Sequence, residues 1–534
     1  MAGNLFKQTG SLSRLIIRRD RIRIPLWLIG LSFFTLMVPV SFTDLYATQQ
    51  ARDVMAETMK NPAMTAMVGP GNLENYTIGA MTTHQMLLLT AVVVGLMSVL
   101  LVTRHTRADE EDGRIEMIRS LPAGRLSNLN ATLFVLCVTN VILALITGFG
   151  LYALGIESMD LEGSLLYGAA LGSTGIIFAG VTALFAQLSE SSRGTVGFSI
   201  AVLILAYLVR AIGDVGNESL SWLSPLGWVT QTEAYSSNNW WPIVLMLGVS
   251  IILFILANYL NAIRDLEAGF FPSRPGRKYA SSFLQSPLGL ALRLQRTGTI
   301  AWAVGMLLMG LSYGSVMGDL ESFFQGNEMM EQMLATTAEG YSITEQFIPM
   351  LMIIMALLAT VAPIMAMNKL YAEEKKNRIE HLLGRAVSRT RLMGSYLIIS
   401  VVNGFIMISF AAIGLWAAGA AVTDEGFEFG MIYGAAIAYY PAMLVMIGIA
   451  VFLIGFIPKR NILLWLYVFY SFIVLYLGGL FQFPEWVGKL SPFGHIPQLP
   501  IEEFEFMPIF ILTIIAVILM VAGFIGYKKR DIEG

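Results

Sequence analysis

Two stretches hold much of the ionisable chemistry of this chain. The first, ADEEDGRIEMIRSLPAGR from Ala108 to Arg125, crowds Asp109, Glu110, Glu111, Asp112 and Glu116 against Arg114, Arg119 and Arg125. The second, AEEKKNRIEHLLGRAVSR from Ala372 to Arg389, repeats the arrangement more loosely. Each stands close behind a long apolar run. Carboxylates and guanidiniums at this density make charge-assisted hydrogen bonds, so the chemistry to expect is docking rather than bond-breaking. No nucleophile stands beside a base, and no paired carboxylates lie inside an apolar run. His84, His105, His381 and His495 are scattered without metal-ligand spacing. We therefore expect no catalytic and no metal-ligating residues.

The elements that must carry these stretches are membrane spans. The chain is 56% apolar and 13% charged, against about 25% charged in a soluble domain. A helix needs roughly 20 apolar residues to cross a bilayer. Such runs fall near residues 24–44, 83–103, 131–154, 164–188, 195–212 and 241–261, then near 299–317, 347–367, 392–418, 430–456, 462–480 and 507–527. The expectation is an all-α membrane protein with about twelve transmembrane helices. The lone cysteine, Cys137, sits in an apolar run and reads as packing. The N-terminus has no short apolar segment with a small-residue cleavage site, so no removable signal peptide is expected. The net charge of −3 gives no indication of nucleic-acid binding.

Lys and Arg are retained on the cytoplasmic side. With the N-terminus inside, only Arg52, Lys60, Lys489 and the span-end Arg210 fall outside. An even span count then places both termini, and both charged stretches, in the cytoplasm. Outside, residues 44–82 and the acidic 318–345 are long enough to cap the outer mouth.

The chain also reads as two halves. Arg114-Ile115-Glu116 recurs as Arg378-Ile379-Glu380, LSPLG at Leu223–Gly227 as LSPFG at Leu490–Gly494, and RDLE at Arg264 as RDIE at Arg530. Asn140 matches Asn403, and Arg18, Arg21, Trp27 and Gly30 match Arg293, Arg296, Trp302 and Gly305. Six spans per half is an even number, so the repeats are parallel. The expected division is a six-span half over 1–268, a cytoplasmic linker over 269–290 and a second six-span half over 291–534.

Thr106 to Ser120 reads as one helix, acids early and Arg119 late as the helix dipole prefers, with Leu121-Pro122 as its stop. Two copies at equivalent places suit a paired cytoplasmic partner. The acid-led EE-x-G-R-x-E followed by SLP, between the second and third spans, resembles the coupling helix of type II ATP-binding-cassette exporter permeases. Other features match. An arginine-rich interfacial helix precedes the first span (residues 4–22, with Leu12, Leu15 and Ile16 on one face), and the LSPLGW and LSPFGH segments stand where those permeases have re-entrant outer helices. The fused twelve-span subgroup, typified by polyketide-antibiotic exporters, is the best match; it shares the NPA…GP outer loop (Asn61-Pro62-Ala63, Gly69-Pro70) and the R-D-x-x-A-G from Arg264 to Gly269.

The resemblance implies coupling helices at 106–122 and 370–386. Their docking residues would be Asp109, Glu110, Glu111, Gly113, Arg114, Glu116, Leu121 and Pro122, and in the second copy Glu373, Glu374, Arg378 and Glu380. It implies re-entrant segments at 213–240 and 481–506, with Ser224, Pro225, Ser491 and Pro492 at an outer gate. The chain holds no G-x-x-x-x-G-K-[ST] and cannot cradle ATP phosphates itself. ATP and Mg would be bound by a separate ATP-binding-cassette subunit, two copies per chain, and this chain would carry no cofactor. The second copy departs from the pattern: Lys375 and Lys376 replace acids, Asn377 replaces glycine, and Arg385-Ala386 replaces Leu-Pro, which implies unequal docking.

Asn140 and Asn403 are candidates either to line a path between the halves or to hydrogen-bond between helices. Arg210 and Asp214, one turn apart, are placed to pair. Few charges lie inside spans, which suits a hydrophobic or amphipathic cargo: a drug, a lipid or a peptide. The rival is an ion-coupled secondary transporter of the major-facilitator type. That family would want a basic G-x-x-x-D-R-x-G-R loop and carboxylates within spans; neither is present. The expected setting is a bacterial cell membrane.

Overall fold

The computed structural model of the chain describes residues 5–60, 62–271, 278–319, 343–384, 387–422, 428–476 and 484–531. It is 80% helix, and among the described residues the sole sheet-like feature is an isolated bridge between Ser189 and Phe271. A helix satisfies each backbone N–H and C=O within its own segment, one of the two ways, with the closed barrel, that a chain can cross lipid. The chain divides into two compact units, Met1–Pro275 and Gly276–Gly534.

In the first unit, α1 (Thr9–Arg19) lies before α2 (Arg23–Leu45). A short helix Ile78–Thr82 and a π-turn Thr83–Leu87 lead into α3 (Leu88–His105). Two short helices follow, α4 (Arg107–Glu111) and α5 (Arg114–Arg119). The unit continues with α6 (Ser127–Ala153), α7 (Leu161–Leu188), α8 (Ser192–Gly216), α9 (Pro225–Thr230) and α10 (Trp241–Ile263). Helix α7 is the hub, packed by α3, α6, α8 and α10. Its glycines make this possible: a Cβ at Gly168 or Gly172 would run into the backbone carbonyls of Ala144 or Asn140 on α6. Such small-residue faces let membrane helices approach closely. Leu12 and Ile16 of α1 pack on Ala131 and Val135 of α6, whereas Leu15, expected on the same face, is exposed.

The second unit holds α11 (Pro287–Val316), α12 (Ile343–Glu374), α13 (Glu380–Leu383), α14 (Arg389–Val422), α15 (Phe429–Ile437), α16 (Tyr440–Phe456), α17 (Ile462–Tyr476) and α18 (Phe506–Lys529). Its close glycine contacts fall elsewhere. Gly310 and Gly314 of α11 meet Ala411 and Leu415 of α14, and Gly414 meets Leu307. The run expected as one span near 430–456 is two helices, broken at Tyr439-Tyr440-Pro441, because Pro441 has no N–H to continue the ladder.

Ten helical runs among the described residues, the broken α15–α16 pair counted as one, are long and apolar enough to cross a membrane, against the twelve expected. The ten coincide with ten of the expected runs. The run near 299–317 falls on α11, and that near 462–480 starts with α17 and continues into residues outside the description. Asn61, Arg385, Ala386 and most of 318–345 also lie outside it, as do parts of the 269–290 linker and of the 481–506 segment.

Asn140 of α6 lies over Gly175 of α7, where an added Cβ would overlap its carboxamide. Gly175→Ala should therefore cost about 1–3 kcal/mol through overpacking, read as a lower melting temperature of the detergent-solubilised protein; an unchanged or raised melting temperature would mean the Asn140 contact does not hold α6 to α7.

Candidate functional site

The first charged stretch is not the single helix expected. Gly113 adopts φ +71°, and this left-handed step separates α4 from α5. The equivalent Asn377 adopts φ +57°. Gly and Asn are the residues that enter this region readily, so the glycine-to-asparagine departure keeps the turn.

Around that turn the carboxylates divide into two sets. Asp109 and Glu110 are 3% and 5% exposed and are occupied inside the unit. Glu110 takes a bidentate pair from Arg264, both contacts at 2.9 Å, and the N–H of Glu267 at 2.6 Å. Arg107 stands 3.3 Å from Glu110 and donates to the carbonyls of Ala186 and Ala268. Arg264 also donates to Gln187 Oε1 and to the Ala268 carbonyl. One carboxylate thus joins α4, the C-terminus of α7 and the chain beyond α10. Asp109 accepts from Arg19 at 2.6 and 3.0 Å and from Arg114 at 2.6 Å, fastening α1 to the same turn. The hydrogen bond to Asp109 raises the Arg19 pKa despite opposing burial. Beside it Asp20, fully buried, meets His105 at 2.5 Å and Arg104 at 3.2 Å. Glu111 caps α8, accepting from the N–H and Oγ of Ser192.

What faces outward is a different set. Asp112, Glu116, Ser120 and Pro122 are exposed, and Met117 and Leu121 stand 64% and 63% exposed on the same rim. Ile115 is turned inward. Burial, then the neighbouring Arg125, lowers the Arg119 pKa. Arg125 donates to the carbonyls of Asn261 and Arg264, tying the end of the stretch to α10. The result is a short apolar-and-acidic edge on an ion-paired base.

The second unit repeats the plan with fewer bonds. Glu374 takes Arg530 at 2.6 Å, as Glu110 takes Arg264. Glu373 takes Arg378 at 3.3 Å, as Asp109 takes Arg114, and adds Lys369 at 3.0 Å. Arg389 donates to the Arg530 carbonyl, as Arg125 does to that of Arg264. Its outward edge, however, carries Lys375, Lys376, Asn377, Arg378, Glu380 and His381, with no exposed apolar side chain at the place of Met117.

Asn140 is fully buried and donates to Ser98 Oγ and to the Leu136 carbonyl; Asn403 donates to Thr299 Oγ1 at 3.2 Å. Ser224 caps α9 by accepting from Leu226 N–H, with Pro225 in the first turn. Ser491 does the same for the short helix Pro492–His495, accepting from Phe493 N–H. Arg210 is fully buried, 3.0 Å from Asp214, and also holds the carbonyls of Thr65, Ala66 and Met67.

A family model described as "Multidrug efflux system permease Rv1217c, C-terminal domain" matches residues 10–260 and 284–528. A relative from Mycobacterium tuberculosis, the multidrug efflux system permease protein Rv1217c, is 34% identical over 99% of this chain and 96% of its own length. The chain belongs to this multidrug efflux permease family. With ten membrane-competent helices, it is a multi-pass membrane protein.

In this family member the buried base recruits residues that motif reading passed over: Asp20, His105, Arg107 and Gln187. Their long-range partners lie 77 to 161 positions away along the chain, and only the repeated Arg264 and Arg530 signalled them. Glu110→Ala leaves two arginines buried without their carboxylate and should cost about 3–5 kcal/mol. Glu116→Ala, on the exposed edge, should stay within about 0.5 kcal/mol. Thermal unfolding of the purified variants separates them, and equal melting temperatures would remove the structural role assigned to Glu110.

Proposed function

We propose that this chain is the membrane-spanning permease subunit of an ATP-driven exporter, and that it moves a hydrophobic or amphipathic compound out of the cell. Two copies of a separate ATP-binding-cassette subunit, holding ATP and Mg, dock from the cytoplasm on the edges at 106–122 and 370–386. Their closure switches the spans between inward- and outward-facing arrangements. The chain itself does no catalysis. Twelve spans in two parallel repeats, with both termini cytoplasmic, complete the reading, and the fused polyketide-exporter subgroup is where it would fall.

The observation that carries this reading is the exposed edge of Glu116, Met117 and Leu121. It stands on a base whose ion pairs reach α1 and the end of α10 and whose hydrogen bonds reach α7. Exposed apolar side chains rimmed by charge mark an interaction surface, and a base tied to several helices would pass a push from the edge into the spans. The three ion-pair and carbonyl contacts repeated in the second unit support the two-repeat reading. So does a single family model that matches both segments. The name of the mycobacterial relative supports drug efflux as the task.

The test is co-purification of the tagged chain from its native membrane. Retention of an ATP-binding subunit is expected. Met117→Asp with Leu121→Asp should weaken it by about tenfold or more, the loss typical of interface hot spots, without lowering the melting temperature. Changes at Glu380 and His381 should weaken it less. A chain that purifies alone and still moves ethidium into proteoliposomes under an ion gradient without ATP would sink the reading.

A further inference from the structure

The repeat permits a comparison of one spot in both units, and the two differ. Setting Arg18 against Arg293 and Trp27 against Trp302 places Asp20 opposite Gln295 and Arg23 opposite Gly298. Setting Ile115 against Ile379 places Arg104 and His105 opposite Asn368 and Lys369. In the first unit these four residues close on one another. Asp20 is fully buried, with His105, Arg104 and Arg23 at 2.5, 3.2 and 3.8 Å.

In the second unit nothing closes. Gln295 has neither the charge to hold Lys369 nor another partner: its Oε1 and Nε2 are buried and lack a hydrogen bond among the described residues, as does Asn368 Oδ1. Lys369 turns instead to Glu373 at 3.0 Å. At Gly298 a Cβ would meet open space, and the same is true at Gly305, about two turns along the helix. Between α11 and α12 this leaves a groove in two parts. A polar part of about 190 Å³ is bordered by Gln295, Thr299, Lys369 and Asn403. An apolar part of about 320 Å³ is bordered by Met306 and Met309, and Trp302 belongs to both. Together they reach the size of small-molecule sites, roughly 300–1,000 Å³.

We propose that this groove binds an amphipathic molecule with a neutral, hydrogen-bonding head and an apolar body. The carboxamide of Gln295 offers two N–H donors and a carbonyl acceptor, and a buried group of this kind left unmade is costly. The Lys369 ammonium is already matched by Glu373, so an added anion is not called for. An amide or hydroxyl head supplies the missing donor and acceptor. Trp302 gives the body a flat apolar wall, and two methionines give it an adaptable one. Such a molecule can be a transported compound or a membrane lipid. As a cargo site the groove rests on the export reading; as a binding site it does not. Because Glu373 also holds Arg378, an occupant touching Lys369 sits two contacts from the proposed docking edge.

The test uses the full chain in nanodiscs without any ATP-binding subunit, so failure of the export reading leaves its outcome intact. The probe is dodecanamide carrying a diazirine at its far end, cross-linked by light and mapped by peptide mass spectrometry. Labelling should concentrate on residues 302–309 and be displaced by unlabelled dodecanamide. Gly298→Leu fills the groove where space is open, and Gln295→Leu removes the head's partner. Gln295→Leu should cut labelling by about tenfold, the weight of one buried hydrogen-bonding group, and Gly298→Leu should cut it at least as much by occupying the space, each with an unchanged melting temperature. Displacement by dodecanamide but not by excess phosphatidylethanolamine assigns the groove to a neutral small molecule. Displacement by the phospholipid alone overturns that head chemistry. Labels spread evenly over the apolar helices, or unaffected by Gly298→Leu, overturn the site.

Discussion

The bidentate pair between Arg264 and Glu110 is the contact on which the charged end of the first unit depends. Both partners are buried, and burial of an ion is costly unless its remaining hydrogen-bonding positions are also filled. Here they are filled by Gln187, Arg107, and the backbone of Glu267 and Ala268. Those groups come from three parts of the chain: Arg107 from the turn after α3, Gln187 from the end of α7, and Glu267 and Ala268 from the stretch after α10. Satisfying one carboxylate therefore fixes where the end of α7, the end of α10 and the turn after α3 must meet. The Asp109 cluster adds α1 to the same knot.

The two units keep this device and vary what surrounds it. Arg530 and Glu374 reproduce the central pair, and the turn survives the exchange of Gly113 for Asn377 because both residues enter the left-handed region. Around it the second unit lacks the Asp20 cluster and the exposed apolar side chain at the place of Met117, and its close glycine contacts join α11 to α14 through Gly310, Gly314 and Gly414, and α16 to α18 through Gly455 and Gly523. The ion cluster that closes around Asp20 in the first unit has no counterpart at Gln295 in the second, where a groove borders the matching position.

Much of this was legible without coordinates. Apolar runs of bilayer length mark the spans, because lipid leaves a chain no other regular structure than a helix or a closed barrel. The repeated motifs at Arg114, Leu223 and Arg264 point to two halves; the folded chain divides into two compact units, and the family match covers a segment in each. Composition and spacing also sufficed to place the charged stretches between spans, since charge does not remain in hydrocarbon.

What the sequence could not determine was which charges face in. Asp109, Glu110, Glu111 and Glu116 look alike along the chain, yet the first two are sealed under arginines, the third caps a helix and the fourth is free. That choice depends on partners such as Arg19 and Arg264, brought from 90 and 154 residues away. Tertiary structure likewise broke the expected single helix at Gly113, put Asn140 over Gly175 and left Gln295 unmatched. Local pattern sets what each segment is, because helix periodicity and hydropathy act over a few residues. Burial of a charge is settled by the long-range contact that satisfies it, and only the folded chain supplies that contact.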